Sequence, residues 1–264
     1  MPKVKPRDIE IYYEVKGRGP KVLFIDGTGA DLRDKPTIFE SPLTDHFTVL
    51  AYDQRGLGQT DKPDMPYTMA DYAEDAYDLT KSLGWERSHV IGVSFGGMVA
   101  QEYALRHPDA VDRLVLACTS SGGKGGASYP IHNLPADPRE RASVMITIFD
   151  NRMGEKWKMS NPEKYEETLV EWMAPSPFSD EPGREMGARR QVEARRYHDT
   201  YERLPQLRMP VYICGGRYDG LSPPVNLEAL HRQIRGSSLD FFEGGHMFIR
   251  QDPMAFAKII EFLS

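Results

Sequence analysis

The chain reads as an α/β protein: a mostly parallel sheet with helices on both faces and one inserted helical lid. Three observations predict this. Short apolar runs alternate with helical stretches over residues 9–118 and again over 210–264. Between them, at 119–204, the alternation breaks into a segment rich in charge, Met and Trp. The sequence Gly92-Val93-Ser94-Phe95-Gly96 falls where an apolar run hands over to a helical one.

Residues 9–15 and 21–26 read as strands joined by the Gly17-Arg18-Gly19-Pro20 turn, and 47–53 as a third. Residues 69–83 carry apolar side chains at helical spacing and stop at Gly84. The run 90–93 leads into a helix at 95–106, and 111–118 is the next strand. The middle segment carries three expected helices, 138–153, 162–173 and 183–201. The glycine run at 122–126 follows no phosphate-loop pattern and reads as a flexible joint. A strand at 211–214, a helix at 224–235, a strand at 239–242 and a closing helix at 253–263 complete the chain. The expected division is a core domain of 1–118 and 205–264 with a lid of 119–204. The lid belongs over the C-terminal strand ends, where open α/β sheets bind ligands.

Gly92-Val93-Ser94-Phe95-Gly96 is a G-x-S-x-G motif in the context that gives it meaning. A strand-to-helix turn tight enough to lift a serine hydroxyl off a sheet needs small residues two before and two after it. Gly92 and Gly96 supply them, which makes Ser94 the candidate nucleophile; the plainer reading is a serine that caps a helix. A base and an acid should follow it in the chain. Of the five later histidines, His107 reads as a helix C-cap and His231 as surface, while His132 and His198 stay open. His246 follows a strand and the Gly244-Gly245 pair, on a loop at the rim of the sheet, and is the candidate base. Asp219 sits on the loop after the strand at 211–214. It can accept the Nδ1 hydrogen of His246, fixing the tautomer and stabilising the imidazolium; an Asp-Gly turn is the alternative.

These motifs together resemble the α/β-hydrolase family nearly end to end. The matching segments are the strand and turn of 50–58, the elbow of 92–97, Arg217-Tyr218-Asp219 and Gly244-Gly245-His246. Residues 27–33 also resemble the enol-lactonase branch. The resemblance implies an oxyanion hole made by the backbone N–H groups of Phe95 and Thr28. One position departs from the pattern: Asp26 stands where the family usually has a histidine before the oxyanion-loop glycine. A carboxylate there opposes a developing oxyanion unless it is turned away or paired. Asp26 is expected to accept backbone N–H bonds and brace the loop.

The lid should set the substrate. Trp157, Trp172, Met145 and Tyr129 are the candidate substrate contacts, among a larger set of Met and aromatic residues that suggests a mainly apolar pocket. Arg189, Arg190, Arg195 and Arg196 make one lid helix strongly basic; most should be solvated, but one could meet a substrate carboxylate. Asp53 and Arg55 read as structural.

A net charge of −6 and no dense Lys/Arg run argue against nucleic acid as a partner. No stretch approaches the ~20 apolar residues of a membrane span, and the first residues lack a signal-peptide core. Cys118 and Cys214 read as buried thiols, in keeping with a reducing cytoplasm. No metal-ligand spacing and no cofactor motif is present. The expected partner is a small-molecule substrate; the oligomeric state is open, a homodimer included.

Three functions fit these residues: a carboxylic-ester or lactone hydrolase, a carbon–carbon bond hydrolase of a β-diketone or ring-cleavage product, and a non-turnover small-molecule receptor that kept the triad. For the hydrolases the base must be neutral, so the rate should rise with pH through about 6–7, where free histidine titrates.

Overall fold

The computed structural model describes residues 2–264. Eight strands form one sheet: β1 (Lys3–Val4), β2 (Ile11–Lys16), β3 (Lys21–Ile25), β4 (Thr48–Tyr52), β5 (Ser88–Val93), β6 (Val111–Ala117), β7 (Val211–Gly216) and β8 (Ser238–Phe242). Their spatial order is β1-β2-β4-β3-β5-β6-β7-β8. The pairs β1/β2 and β2/β4 are antiparallel and every other pair is parallel. Helices α1 (Leu43–His46), α2 (Met69–Ser82), α3 (Phe95–Arg106), α8 (Pro224–Gln233), α9 (Phe248–Gln251) and α10 (Met254–Leu263) connect or follow the strands; α4 to α7 fall between β6 and β7.

The strands are apolar on both faces because both faces are covered. On β3, Leu23 and Ile25 join one core cluster while Val22 and Phe24 join the other. The same period-2 split separates Leu114 and Leu116 from Val115 and Ala117 on β6. The first cluster includes Leu79 of α2, Val99 of α3 and Leu227 of α8; the second includes Leu43 of α1, Phe248 of α9 and Ile259 of α10. Each such side chain contributes roughly 1.5–3 kcal/mol when fully buried. Helix α2 starts on a reciprocal cap: Thr68 Oγ1 accepts from the Asp71 N–H at 3.1 Å, and Asp71 accepts from the Thr68 N–H at 2.9 Å.

Between β6 and β7 the chain forms α4 (Pro138–Phe149), α5 (Glu155–Ser160), α6 (Pro162–Met173) and α7 (Arg184–Arg196). Ala142 and Ile146 of α4 meet Leu169 of α6 in a small cluster of their own. This is four helices where the sequence suggested three. The helix expected over 138–153 stops at Phe149, because Asp150 leaves helical geometry and its carboxylate accepts the Arg152 N–H at 3.1 Å. The helix expected to reach residue 201 stops at Arg196. Beyond it His198 turns inward, its ring Nε2 3.2 Å from the Ser120 carbonyl oxygen, and Asp199 bridges to Gly122.

The glycine run at 122–126 is not a loose joint. Gly123–Gly125 make one 3₁₀ turn, and Gly122 and Gly125 are buried. A Cβ on Gly122 would lie 1.9 Å from the His198 carbonyl oxygen, so the glycine allows close backbone approach. Among the described residues no helix is long and apolar enough to cross a membrane.

Candidate active site

Ser94 sits between β5 and α3 with φ 55° and ψ −116°. A serine at positive φ costs on the order of 1–3 kcal/mol, so its surroundings must hold it there. They do so through contacts too close for side chains. A Cβ on Gly92 would lie 2.4 Å from the Gly96 carbonyl oxygen, and one on Gly96 would lie 2.0 Å from that of Ile25. The Ser94 N–H donates to the Ala117 carbonyl at 2.8 Å, and Thr119 Oγ1 donates to the Ser94 carbonyl at 2.7 Å. The turn is thereby tied to the end of β6 on both sides.

The structure brings together the three residues singled out in the sequence. His246 Nε2 lies 2.9 Å from Ser94 Oγ, and His246 Nδ1 lies 2.7 Å from Asp219 Oδ2. Asp219 is fully buried, and its other oxygen, Oδ1, accepts the N–H groups of Leu221 and Ser222, each at 2.8 Å. One carboxylate oxygen is therefore held by the backbone and the other faces the imidazole. The His246 N–H donates to the Phe149 carbonyl, and the Phe149 ring stands edge-on to the imidazole at 5.1 Å. Ser94 and His246 are 8% and 6% exposed and line a cavity of about 790 Å³.

Thr28 lines that cavity too. Its N–H and that of Phe95 engage no protein acceptor among the described residues. The loop carrying Thr28 packs on the nucleophile: a Cβ on Gly27 would lie 3.5 Å from Ser94 Cβ. Asp26 Oδ1 accepts the Gly27 N–H at 2.7 Å, while Gln54 Nε2 donates to the Asp26 carbonyl at 2.8 Å. Burial pushes the Asp26 carboxyl above its usual range, against the lowering effects of the Gly27 N–H and of Arg250. A carboxyl that holds its proton more tightly opposes an oxyanion less than a free carboxylate would.

On its far side the same loop is fastened to α7. Gln191 Oε1 accepts the Gly29 N–H at 2.8 Å, and Arg184 pairs with buried Asp31 at 2.8 Å. Asp53 Oδ1 accepts the Leu32 N–H at 2.8 Å, and Arg55 is buried between Asp8 and Asp75. Gln54, Gln191, Arg184 and Asp31 escaped the sequence reading. Each acts through a partner far away in the chain, and no local pattern marks such a pair.

Two of the four proposed lid contacts line a cavity. Met145 lines the large one, and Tyr129 lines a smaller one of about 70 Å³. Trp157 and Trp172 line neither of these two. Trp157 sits half-buried on α5, and Trp172 stacks edge-on behind Phe149 at 4.7 Å, so Phe149 takes the wall position instead. Helical periodicity cannot say which large side chain reaches the wall and which backs it. The wall is also less uniformly apolar than the lid composition suggests, since Asp26, Asp34, Glu40, Arg195 and Arg250 join it.

Cys118, Asp219 and His246 place ligand-capable atoms within 4.8 Å of one another. Asp219 and His246 are committed to each other, and burial pushes the Cys118 thiol well up, so a metal would have to break the pair and deprotonate a resistant thiol.

A mostly parallel eight-stranded sheet with a serine on a tight strand-to-helix turn defines a class of α/β enzymes. The family model described as the alpha/beta hydrolase fold matches residues 20–253, and the chain belongs to that family. An uncharacterized protein of Mycobacterium tuberculosis is 32% identical, over 94% of this chain and 76% of that protein. A poly(3-hydroxyalkanoate) depolymerase of Ectopseudomonas oleovorans is 28% identical, over 90% of this chain and 82% of its own length. The enol-lactonase of Burkholderia xenovorans LB400 superposes with a TM-score of 0.77 at 20% identity, covering 99% of both chains. That likeness is one of fold.

Proposed function

We propose that the protein is a serine hydrolase that cleaves a carboxylic ester or lactone of a small substrate through an acyl-enzyme. The observation that carries the reading is the unbroken hydrogen-bonded line from Ser94 Oγ through His246 to buried Asp219, at the wall of a cavity large enough for a small molecule. The depolymerase relative, by its name an ester-bond enzyme, supports the same direction.

In this mechanism Ser94 Oγ attacks the substrate carbonyl carbon as His246 Nε2 takes the hydroxyl proton. Asp219 holds the Nδ1 hydrogen and stabilises the imidazolium. The carbonyl π electrons move onto oxygen, where the free N–H groups of Phe95 and Thr28 receive the charge. Collapse expels the alkoxide, which takes the proton from Nε2. Water then enters, gives a proton to His246, attacks the acyl carbon and releases the acid and Ser94.

The test is fluorophosphonate labelling of the wild type and of Ser94→Ala, followed by turnover of a panel of small esters and lactones. Labelling of the wild type alone with Ser94-dependent turnover is expected. Asp26, in the wall of the same cavity as Ser94 and His246, supports a second reading, hydrolysis of a carbon–carbon bond, in which a carbon leaving group must be protonated. Labelling with turnover confined to diketone or dienone substrates would select that reading. Ligand binding with neither labelling nor turnover would leave only a receptor.

A further inference from the structure

Arg189, Arg190, Arg195 and Arg196 of α7 look alike in sequence, but their environments differ. Arg189 and Arg196 are exposed to solvent. Arg190 pairs with Glu193 at 3.0 Å and Asp64 at 3.2 Å. Arg195 is 9% exposed, and among the described residues its guanidinium has no ion pair and no hydrogen-bond acceptor. Its nitrogens are nevertheless not sealed off: the side chain is packed away while its charged end keeps access to the cavities it lines. Burial without a carboxylate pushes this guanidinium down to about 10, so it is still charged at neutral pH.

Arg195 is also placed where a ligand could reach it. Among the described residues it alone lines both cavities. One is the 790 Å³ cavity that holds Ser94, His246 and Thr28. The other is the 70 Å³ cavity walled by Ser120, Ser128, Tyr129, His132 and His198. The His198 Nδ1 atom there is buried without a partner. The helix that carries Arg195 is held against the loop of Thr28 by the Gln191–Gly29 and Arg184–Asp31 bonds, so the cation is pre-positioned relative to that loop.

The geometry points to Arg195 as the anion-recognising residue of the site: the natural substrate carries a carboxylate, which pairs with this guanidinium while its ester or lactone carbonyl lies at Ser94. The inference rests on the hydrolase reading for the carbonyl and on the unpaired cation for the carboxylate. A ligand carboxylate would supply the bidentate partner that the fold withholds.

The experiment uses two matched pairs of rigid aryl esters, which place the charge on opposite sides of the scissile bond. Mono-4-nitrophenyl terephthalate is compared with its methyl ester, and 4-carboxyphenyl acetate with 4-methoxycarbonylphenyl acetate. Each is measured as kcat/KM on the wild type, Arg195→Met and Arg195→Lys. In at least one pair the wild type should favour the anion by on the order of 10- to 100-fold, through KM above all. Arg195→Met should erase that ratio, its loss falling on the anionic ester far more than on the neutral one, and Arg195→Lys should keep part of it. Arg195→Met should also melt no lower than the wild type, since it removes an uncompensated buried charge. No anion preference in either pair, a preference that survives in Arg195→Met, or an equal loss on charged and neutral esters with a lower Tm would overturn the assignment. Failure of the hydrolase reading would show separately, as absence of Ser94-dependent turnover of any ester. In that event, calorimetric binding of monomethyl terephthalate to the wild type and to Arg195→Met decides the anion site, with equal affinity or no binding counting against it.

Discussion

Gln191 reaches from α7 to the loop beside Ser94, where its Oε1 accepts the Gly29 N–H at 2.8 Å. The two residues are 162 positions apart, and this bond links α7 to the loop that carries Thr28. Gln191→Leu keeps the volume and removes the acceptor. Leaving the Gly29 N–H without it should cost about 1–3 kcal/mol. A lower Tm and a fall in kcat larger than any rise in KM are expected, measured by thermal melts and ester kinetics.

The elbow predicts a steric outcome. A methyl group on Gly96 would sit 2.0 Å from the Ile25 carbonyl oxygen, a backbone atom that cannot swing aside. Gly96→Ala should destabilise by roughly 1–3 kcal/mol or more, and should slow fluorophosphonate labelling of Ser94 in whatever protein still folds. Normal labelling with an unchanged Tm would contradict the close approach described here.

The proposed triad predicts a non-additive loss. Ser94→Ala and Asp219→Asn should each lower kcat by on the order of 10⁴-fold. The double variant should be little worse than either single one, because the residues act as a unit. Asp219→Asn keeps an oxygen for the Leu221 and Ser222 N–H groups, so its melting should remain close to that of the wild type.

His198 and Asp53 predict a pH dependence of stability with opposed signs. Burial pushes the His198 imidazole down to about 4, so the folded protein binds fewer protons there than the unfolded chain. Its contribution is whole above about 6.5 and is lost as pH falls from there to 4, up to about 3 kcal/mol. Burial pushes the Asp53 carboxyl up to about 6, against the N–H groups of Gln59 and Leu32. Stability from that site grows as pH falls from 6 to the usual carboxylate range, by a similar amount. The two offset each other between about pH 4 and 6. His198→Gln removes one of them, so its Tm should gain on the wild type as pH falls from 7 to 4. A constant Tm difference over that range would sink the assignment.

Much of the site was readable because its signals are local. Small residues flank Ser94 because the turn itself demands them, and Asp219 and His246 each follow a strand that alternation alone reveals. The helix boundaries at Phe149 and Arg196 were missed because each is set by a side chain, Asp150 or His198, choosing a backbone partner over helix continuation. Size and hydrophobicity likewise could not say that Trp172 stays 37% exposed and that Phe149, not Trp172, lines the large cavity.

The order of strands and helices, the nucleophile turn and the succession of serine, acid and histidine were already written in the chain, because each depends on neighbours within a few positions. Which arginine of α7 is buried without a counter-charge, and that Gln191 meets Gly29, emerged only from folding. A helix presents a given face to whatever packs against it, and for Gln191 that partner lies 162 positions away in the chain.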